Sequence, residues 1–307
     1  GGAAAAGVVT TAVPARWWRL FDDPALDRHV ERALAANTDL RAAVANLQAA
    51  RAAAELAGAA RWPATVIESG VGPERADRQP STSSVPKTSY ELGATVAWEV
   101  DLFGRVRGGV AAAAADAAAS AALVDAARLA VVGDTVAAWV DGCTASAALA
   151  LAQRQLAALE RGRTLVAERL AAGEVSPLEL ARATTLRDRA AADVPRYAAD
   201  LQRARYRLAV LEARPPAEVD ADPDALSCEA IPAIRAPLPV GDAAQLLARR
   251  PDLREAGHRL AAATARIDVA VADLYPRVQL AASGGLIAGG ADAILTPLIT
   301  WTFPNRI

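Results

Sequence analysis

Two histidines and two cysteines are all that this 307-residue chain holds of the side chains most used in metal and nucleophilic chemistry. His29 and His258 lie on helix-forming stretches far apart in sequence, with no Cys, Asp or Glu cluster at ligand spacing nearby. They are read as solvated or packing residues. Cys143 and Cys228 do not make a disulfide framework and are read as small packing or loop residues, not a redox or metal site. The glycine runs "GGVAAAA" at Gly108 and "SGGLIAGG" near Gly284 lack the strand-to-helix setting of a phosphate loop. The first is expected to relieve crowding where strand becomes helix, the second to lie within or between strands. No catalytic constellation is left, so the expectation is a protein that is not an enzyme and needs no cofactor or metal.

What the chain does carry is a repeat. "DLRAAVANLQAARAAAELAGAARWP" (39–63) aligns without a gap on "DLREAGHRLAAATARIDVAVADLYP" (252–276), with Leu40/Leu253, Arg41/Arg254, Leu47/Leu260 and Pro63/Pro276 among the identities. Each copy ends on an aromatic and a proline. The net charge of −2 offers no basic excess for phosphates, so no nucleic-acid partner is expected. Aromatics are 4% against a hydrophobic fraction of 53%, so alanine carries much of the apolar content. Such chains favour long helices packed closely over thin cores. No apolar run reaches the ~20 residues a membrane helix needs.

Helix is expected over 24–62, with Asp23 as N-cap, Pro24 at the first position, and Thr38 or Asp39 capping a second segment. Pro63 ends it. The period then changes to 2. In "SYELGATVAWEVD", Tyr90, Leu92, Val96 and Trp98 share one face, and Glu91 and Glu99 the other. The length suits a transmembrane β-strand of roughly 9–11 residues, apolar toward lipid and polar toward a lumen. A partner strand is expected at 64–72, across a polar Pro/Ser/Thr loop. After Pro276 the pattern returns: "RVQLAASGGL" carries Gln279 on its polar face, and "AILTPLITWTF" sets Leu295, Ile299 and Trp301 on its apolar one. Trp98 and Trp301 are expected at equivalent places in the two hairpins.

From about 106 to 172 an unbroken helical register predicts a helix of ~100 Å, which suits a coiled coil or helical tube. "AAGEVSPLEL" breaks it, and helix returns over 177–212 with Ser176 and Glu179 as a capping box and a bend at Pro195. The domain reading is a flexible lead over 1–16 and a first repeat over 17–213, with a β-hairpin at 64–101 and a long helical hairpin at 105–212. A Pro-rich connector (214–241) leads to a second repeat over 242–307 with its hairpin at 277–303. By analogy with the first copy the second lacks on the order of 110 residues, so the chain is expected to be C-terminally incomplete.

The stretches "WWRLFDDPALDRHVERALAANTDLRAAVANLQAAR", "AWEVDLFGRVR", "LAAGEVSPLELARA", "PLPVGDAAQLLARRPDLREAGHRLAAATARIDVAVADLYPRV" and "LITWTF" resemble the outer membrane factors. These are the TolC-like exit ducts of Gram-negative tripartite efflux pumps, and the NodT-type lipoprotein branch is the nearest. Departures are Asp268 where the family's usual glycine follows "ARI", and Leu211–Ala213 reading "LEA" where the usual run is "LLG". The family's lipobox cysteine is not in this sequence, nor are its acidic gate residues.

The resemblance implies a mainly α fold with transmembrane β. Each protomer would give four strands to a trimeric twelve-stranded outer-membrane β-barrel, continuous with a long α-helical coiled-coil barrel forming a periplasmic tunnel. It implies a homotrimer that exports small molecules passively and works with a periplasmic adaptor protein and, through it, an inner-membrane RND-type transporter. It also implies the Gram-negative outer membrane as location and a lipid anchor at the processed N-terminus. Residues Ala172, Gly173, Glu174, Val175 and Ser176 match the turn that meets the adaptor. Tyr90, Leu92, Val96, Trp98, Leu295, Ile299 and Trp301 are expected to face lipid, and Glu91, Glu99 and Gln279 to line the pore. The alternative is a periplasmic adaptor, which also joins long helical hairpins to β-structure.

Overall fold

The structure, a computed structural model, describes residues 7–73, 88–220, 226, 228, 230–234, 236–288 and 296–302. In chain order the elements are strand β1 (Val8–Val9), a 3-10 turn (Trp17–Phe21), helices α1 (Pro24–Ala36) and α2 (Thr38–Ala59), and strands β2 (Ala64–Pro73) and β3 (Thr88–Val100). Helices α3 (Arg105–Ala171), α4 (Pro177–Leu211) and α5 (Pro216–Asp220) follow, then strand β4 (Leu238–Pro239) and helices α6 (Ala243–Arg249) and α7 (Pro251–Ala272). Strands β5 (Arg277–Ala288) and β6 (Thr296–Thr302) complete the order. The chain divides into two compact units, Gly1–Ala45 with Leu123–Pro251 and Asn46–Ala122 with Asp252–Ile307.

The first unit has an aromatic and aliphatic core. Trp18, Leu26, Val30, Val132, Val136, Trp139, Cys143, Leu208 and Leu226 bury together. Asp23 organises one side of it. Its Oδ1 accepts from the Ala25 and Leu26 amides at 2.8 and 3.2 Å, the N-cap expected from the sequence. Its Oδ2 accepts from Trp139 Nε1 at 2.8 Å. Asp27 takes hydrogen bonds from Trp18 Nε1 and the Arg19 fork. Arg19 first, and then Trp18, hold its carboxyl below the ordinary carboxylate range. A depressed acid stabilises the fold fully above its unfolded pKa, and that contribution is lost as pH falls through the folded value.

At the other end of α1 the cap is Asn37, not Thr38 or Asp39. Its Oδ1 accepts from the Asp39 and Leu40 amides, both at 3.0 Å, because a side chain one residue earlier reaches those two donors. Its Nδ2 donates to the Leu211 carbonyl at 3.0 Å, so the cap also ties down the end of α4. Buried beside it, His29 Nδ1 lies 2.5 Å from Glu212 Oε1 with the imidazole against the Trp139 ring. Arg32 and Arg214 reach Glu212 Oε2, each at 3.7 Å. His29 is thus a packing residue with a carboxylate partner.

Helix α4 runs through Pro195 to Leu211 and closes in a Schellman turn. The Arg214 amide donates to the Ala209 carbonyl and the Ala213 amide to the Val210 carbonyl. That turn puts Ala213 at φ +53°, where glycine is at ease and alanine is not. Replacing Ala213 by glycine should therefore stabilise the protein, by about 1 kcal/mol, read as a raised thermal midpoint of the purified chain. Near the N-terminus, β1 pairs in parallel with β4.

The two cysteines are bonded to each other. Cys143 on α3 and Cys228 beyond α5 form a disulfide with their Cα atoms 5.4 Å apart across 85 residues of sequence. This corrects the reading of both as separate packing residues. Pairing is decided by proximity in the fold, which spacing along one sequence does not carry.

The second unit holds one antiparallel four-stranded sheet in the order β2-β3-β5-β6, so the two hairpins join through β3 and β5. Trp301 faces Val278, whose counterpart in the first copy, Thr65, faces Val96. Trp98 therefore lies two residues nearer the helix–strand junction than Trp301's place in its own hairpin, a correction to the expected equivalence. Gly108 lies on α3 where the helix meets α7: a Cβ would come within 2.9 Å of Val269 Cγ2 and 3.3 Å of the Ala265 carbonyl. Its role is close approach of two helices, not relief at the strand-to-helix change. Alanine, counting as apolar while carrying little surface to bury, makes α3 resemble a membrane span by composition alone. Asp116, Asp125, Asp134 and Asp141 keep its apolar runs short of the ~20 residues a span needs.

Candidate functional site

At the junction of strand and long helix, the stretch "WEVDLFGRVR" gives nearly every residue a task. Trp98 Nε1 donates to the Arg61 carbonyl at 3.0 Å, tying β3 to the end of α2. Glu99 receives the Arg105 guanidinium in a two-point ion pair, with Nε at 2.7 Å from Oε1. The two carboxylate oxygens of Asp101 accept from the Val106 and Arg107 amides at 3.1 and 2.9 Å, satisfying donors that the first turn of α3 leaves free. Gly104 sits at φ +86°, a conformation open to glycine. Phe103 stacks on Tyr275 with centroids 4.7 Å apart. Sequence reading missed these roles. The acid–aromatic–glycine–basic order was a cue, but the stack needs the second copy of the repeat to be in place.

From the junction, α3 runs 67 residues, about 100 Å. At its far end the chain turns through Gly173, at φ +76°. The Gly173 amide donates to the Leu170 carbonyl and the Glu174 amide to the Arg169 carbonyl, both at 2.9 Å, a Schellman stop. Arg169 pairs with Glu174 at 3.0 Å. Ala172, Gly173, Glu174 and Ser176 are exposed and Val175 is half-buried. The capping box expected here does not form: Ser176 makes no side-chain cap and Glu179 pairs with Arg182 instead. Gly173 closes α3, and Pro177 in the first turn opens α4.

The sheet is two-faced. Register sets Tyr90, Leu92, Val96 and Trp98 on the face that β5 and β6 continue with Leu280, Ile299 and Trp301. On it Ile67 and Leu92 are 73% and 52% exposed. The other face carries Glu91, Thr95 and Glu99, with Gln279 directly across from Glu99 and Ser283 across from Thr95. Leu295 and the loop at 74–87 lie outside the described residues. Strand β2 has β3 as its only neighbour and β6 has β5, which leaves the two outer edges unpaired among the described residues. Among those residues no group of His, Cys, Asp and Glu is placed to hold a metal ion.

The fold is thus a two-faced antiparallel sheet of two hairpins joined to a helix far longer than a globular core needs. The model of the family described as outer membrane efflux protein matches residues 29–212 and 243–296. Nodulation protein T of Rhizobium leguminosarum bv. trifolii is 30% identical over 313 residues, covering 100% of this chain and 65% of that protein. The solvent efflux pump outer membrane protein SrpC of Pseudomonas putida is 30% identical over 97% of this chain and 63% of its own length. The solved outer-membrane channel OprN superposes with a TM-score of 0.83 at 34% identity, over 97% of this chain and 69% of that one. The chain belongs to the outer membrane efflux protein family, and it is an outer-membrane protein with a TolC-like fold of tunnel helices and barrel strands. Members of that family and its structural relatives are channel proteins, which sets aside the adaptor alternative. The chain spans just under two thirds of the length of the two curated relatives named above.

Proposed function

We propose that this chain forms part of the wall of an exit duct in the Gram-negative outer membrane, through which small molecules delivered by a periplasmic partner leave passively. The observation that carries the reading is the four-stranded sheet with one apolar face, one polar face and two edges unpaired among the described residues. Open edges are not tolerated in lipid, and four strands are too few to close on themselves. Three copies pairing edge to edge give a closed twelve-stranded barrel, an even number as such barrels require. Tyr90, Leu92, Val96, Trp98, Leu295, Ile299 and Trp301 then face lipid, and Glu91, Glu99 and Gln279 face the pore. Glu99 arrives with its charge met by Arg105, so it shapes the lumen more than it charges it. Energy comes from an inner-membrane transporter of the RND type, reached through a periplasmic adaptor.

The adaptor meets the turn Ala172–Ser176, at the far end of α3 from the strands. Gly173 tests this at a small cost in backbone strain, since its φ is +76°. A Cβ there meets nothing within 4 Å in this chain, and asparagine tolerates positive φ better than other side chains. Gly173→Asn should leave trimer and expression unchanged, while site-specific crosslinking to the adaptor and efflux-dependent resistance are lost. Normal resistance with full crosslinking in that variant would remove the tip from the reading.

A further inference from the structure

The Cys143–Cys228 disulfide is one half of a latch. Two residues before Cys228, Leu226 is 3% exposed and seated on α3 at Gly142, where a Cβ would lie 2.4 Å from its Cδ1. Gly142 and Cys143 are consecutive on α3, so the apolar seat and the covalent bond act at one place. Together they fasten the chain that follows α4 back onto α3. The closed loop contains the outer part of α3, the turn at Gly173 and all of α4.

We infer that this latch is closed in an oxidation step during maturation, by thiol–disulfide exchange with a protein disulfide donor of the Cys-X-X-Cys class, and that Cys228 reacts first. The inference rests on the proposed export of the chain, which delivers it to an oxidising compartment. The order of attack follows from burial. Cys143 is 1% exposed within the packed core of α1, α3 and α4, beyond reach of a protein donor. Cys228 is only half-buried and stays accessible until Leu226 seats. The Cys228 thiolate attacks the donor disulfide, forming a mixed disulfide and releasing one donor thiolate. Seating of Leu226 brings Cys143 to the bond; its thiolate attacks Cys228 Sγ and expels the second donor thiolate. Two thiols of this chain are oxidised by two electrons, the donor disulfide is reduced to a dithiol, and the two protons end on the donor thiols or in solvent.

The full chain, expressed in a Gram-negative host that has such a donor, is quenched in acid, tagged with maleimide-polyethylene glycol and run without reductant after membrane fractionation. The wild-type chain from the outer membrane should take no tag before reduction and two after it. Cys143→Ala should accumulate a reductant-sensitive adduct of chain plus donor, and Cys228→Ala should show none. Tags on unreduced wild-type chain from the outer membrane, or trapping by Cys228→Ala equal to or above that of Cys143→Ala, overturns the inference and leaves the export reading standing. A chain retained in the cytoplasm with free thiols sinks both.

Discussion

Removing the disulfide with Cys143→Ala and Cys228→Ala together should lower the stability of the first unit by about 4–5 kcal/mol, the chain entropy of closing a loop this long. The loop spans 85 residues, long enough for its unfolded ensemble to lose a great deal of freedom on closure. Alanine is the right replacement at the buried site, since a serine hydroxyl there would add a desolvation cost of its own. The measurement is the thermal or denaturant midpoint of purified protein, wild type against variant, each with and without reductant. Reductant should lower the wild-type midpoint toward that of the variant and leave the variant unmoved. Gly142→Ala should reproduce part of the loss by another route, because its methyl group displaces Leu226 and draws the segment bearing Cys228 off α3. If wild type and variant unfold alike under oxidising conditions, the stretch after α4 is held by packing alone.

How far the sequence carried this depends on the range over which each feature is decided. The alternation in "SYELGATVAWEV" reads as a strand because a two-faced sheet demands it at every residue, and β3 covers Thr88–Val100. The uninterrupted helical register after Arg105 is as local, and α3 follows it for 67 residues. Caps are local too, yet the expected one at α2 was off by a residue. Asn37, Thr38 and Asp39 are all good caps, and only the fold shows which oxygen reaches the free amides. Features settled between distant segments were not legible. The disulfide, the seat at Gly142 and the Phe103–Tyr275 stack each join residues separated by scores of positions. The pairing of β3 with β5 was no more visible, since each hairpin looks self-sufficient along the chain. Glu212 is the most telling case. A buried carboxylate at the end of α4 has no visible reason along the chain, and its partner, His29, lies at the far end of the first repeat.

Which face of the sheet meets lipid can be decided by placing one arginine at a time. Ile67 and Ala94 are paired at mid-strand, with Leu92 on the same face two pairs further along. Ile67→Arg or Leu92→Arg should cost about 2–4 kcal/mol each when the protein folds into a bilayer, falling toward zero for positions near the interface. Thr95→Arg, on the opposite face between Val66 and Ser283, should change stability by less than about 0.5 kcal/mol, because a lumenal guanidinium keeps its water. It should instead alter single-channel conductance. Denaturant titration of folding into lipid vesicles gives the first quantity and planar-bilayer recording the second. A large cost at Thr95 with none at Ile67 would mean the faces are inverted, and Glu91, Glu99 and Gln279 would then lie against hydrocarbon. That arrangement is physically costly, since an ionised carboxylate in lipid needs a partner or a proton. Glu99 has its partner in Arg105, so the lipid-facing role of Ile67 and Leu92 rests on the whole face, and the arginine scan reads that face position by position.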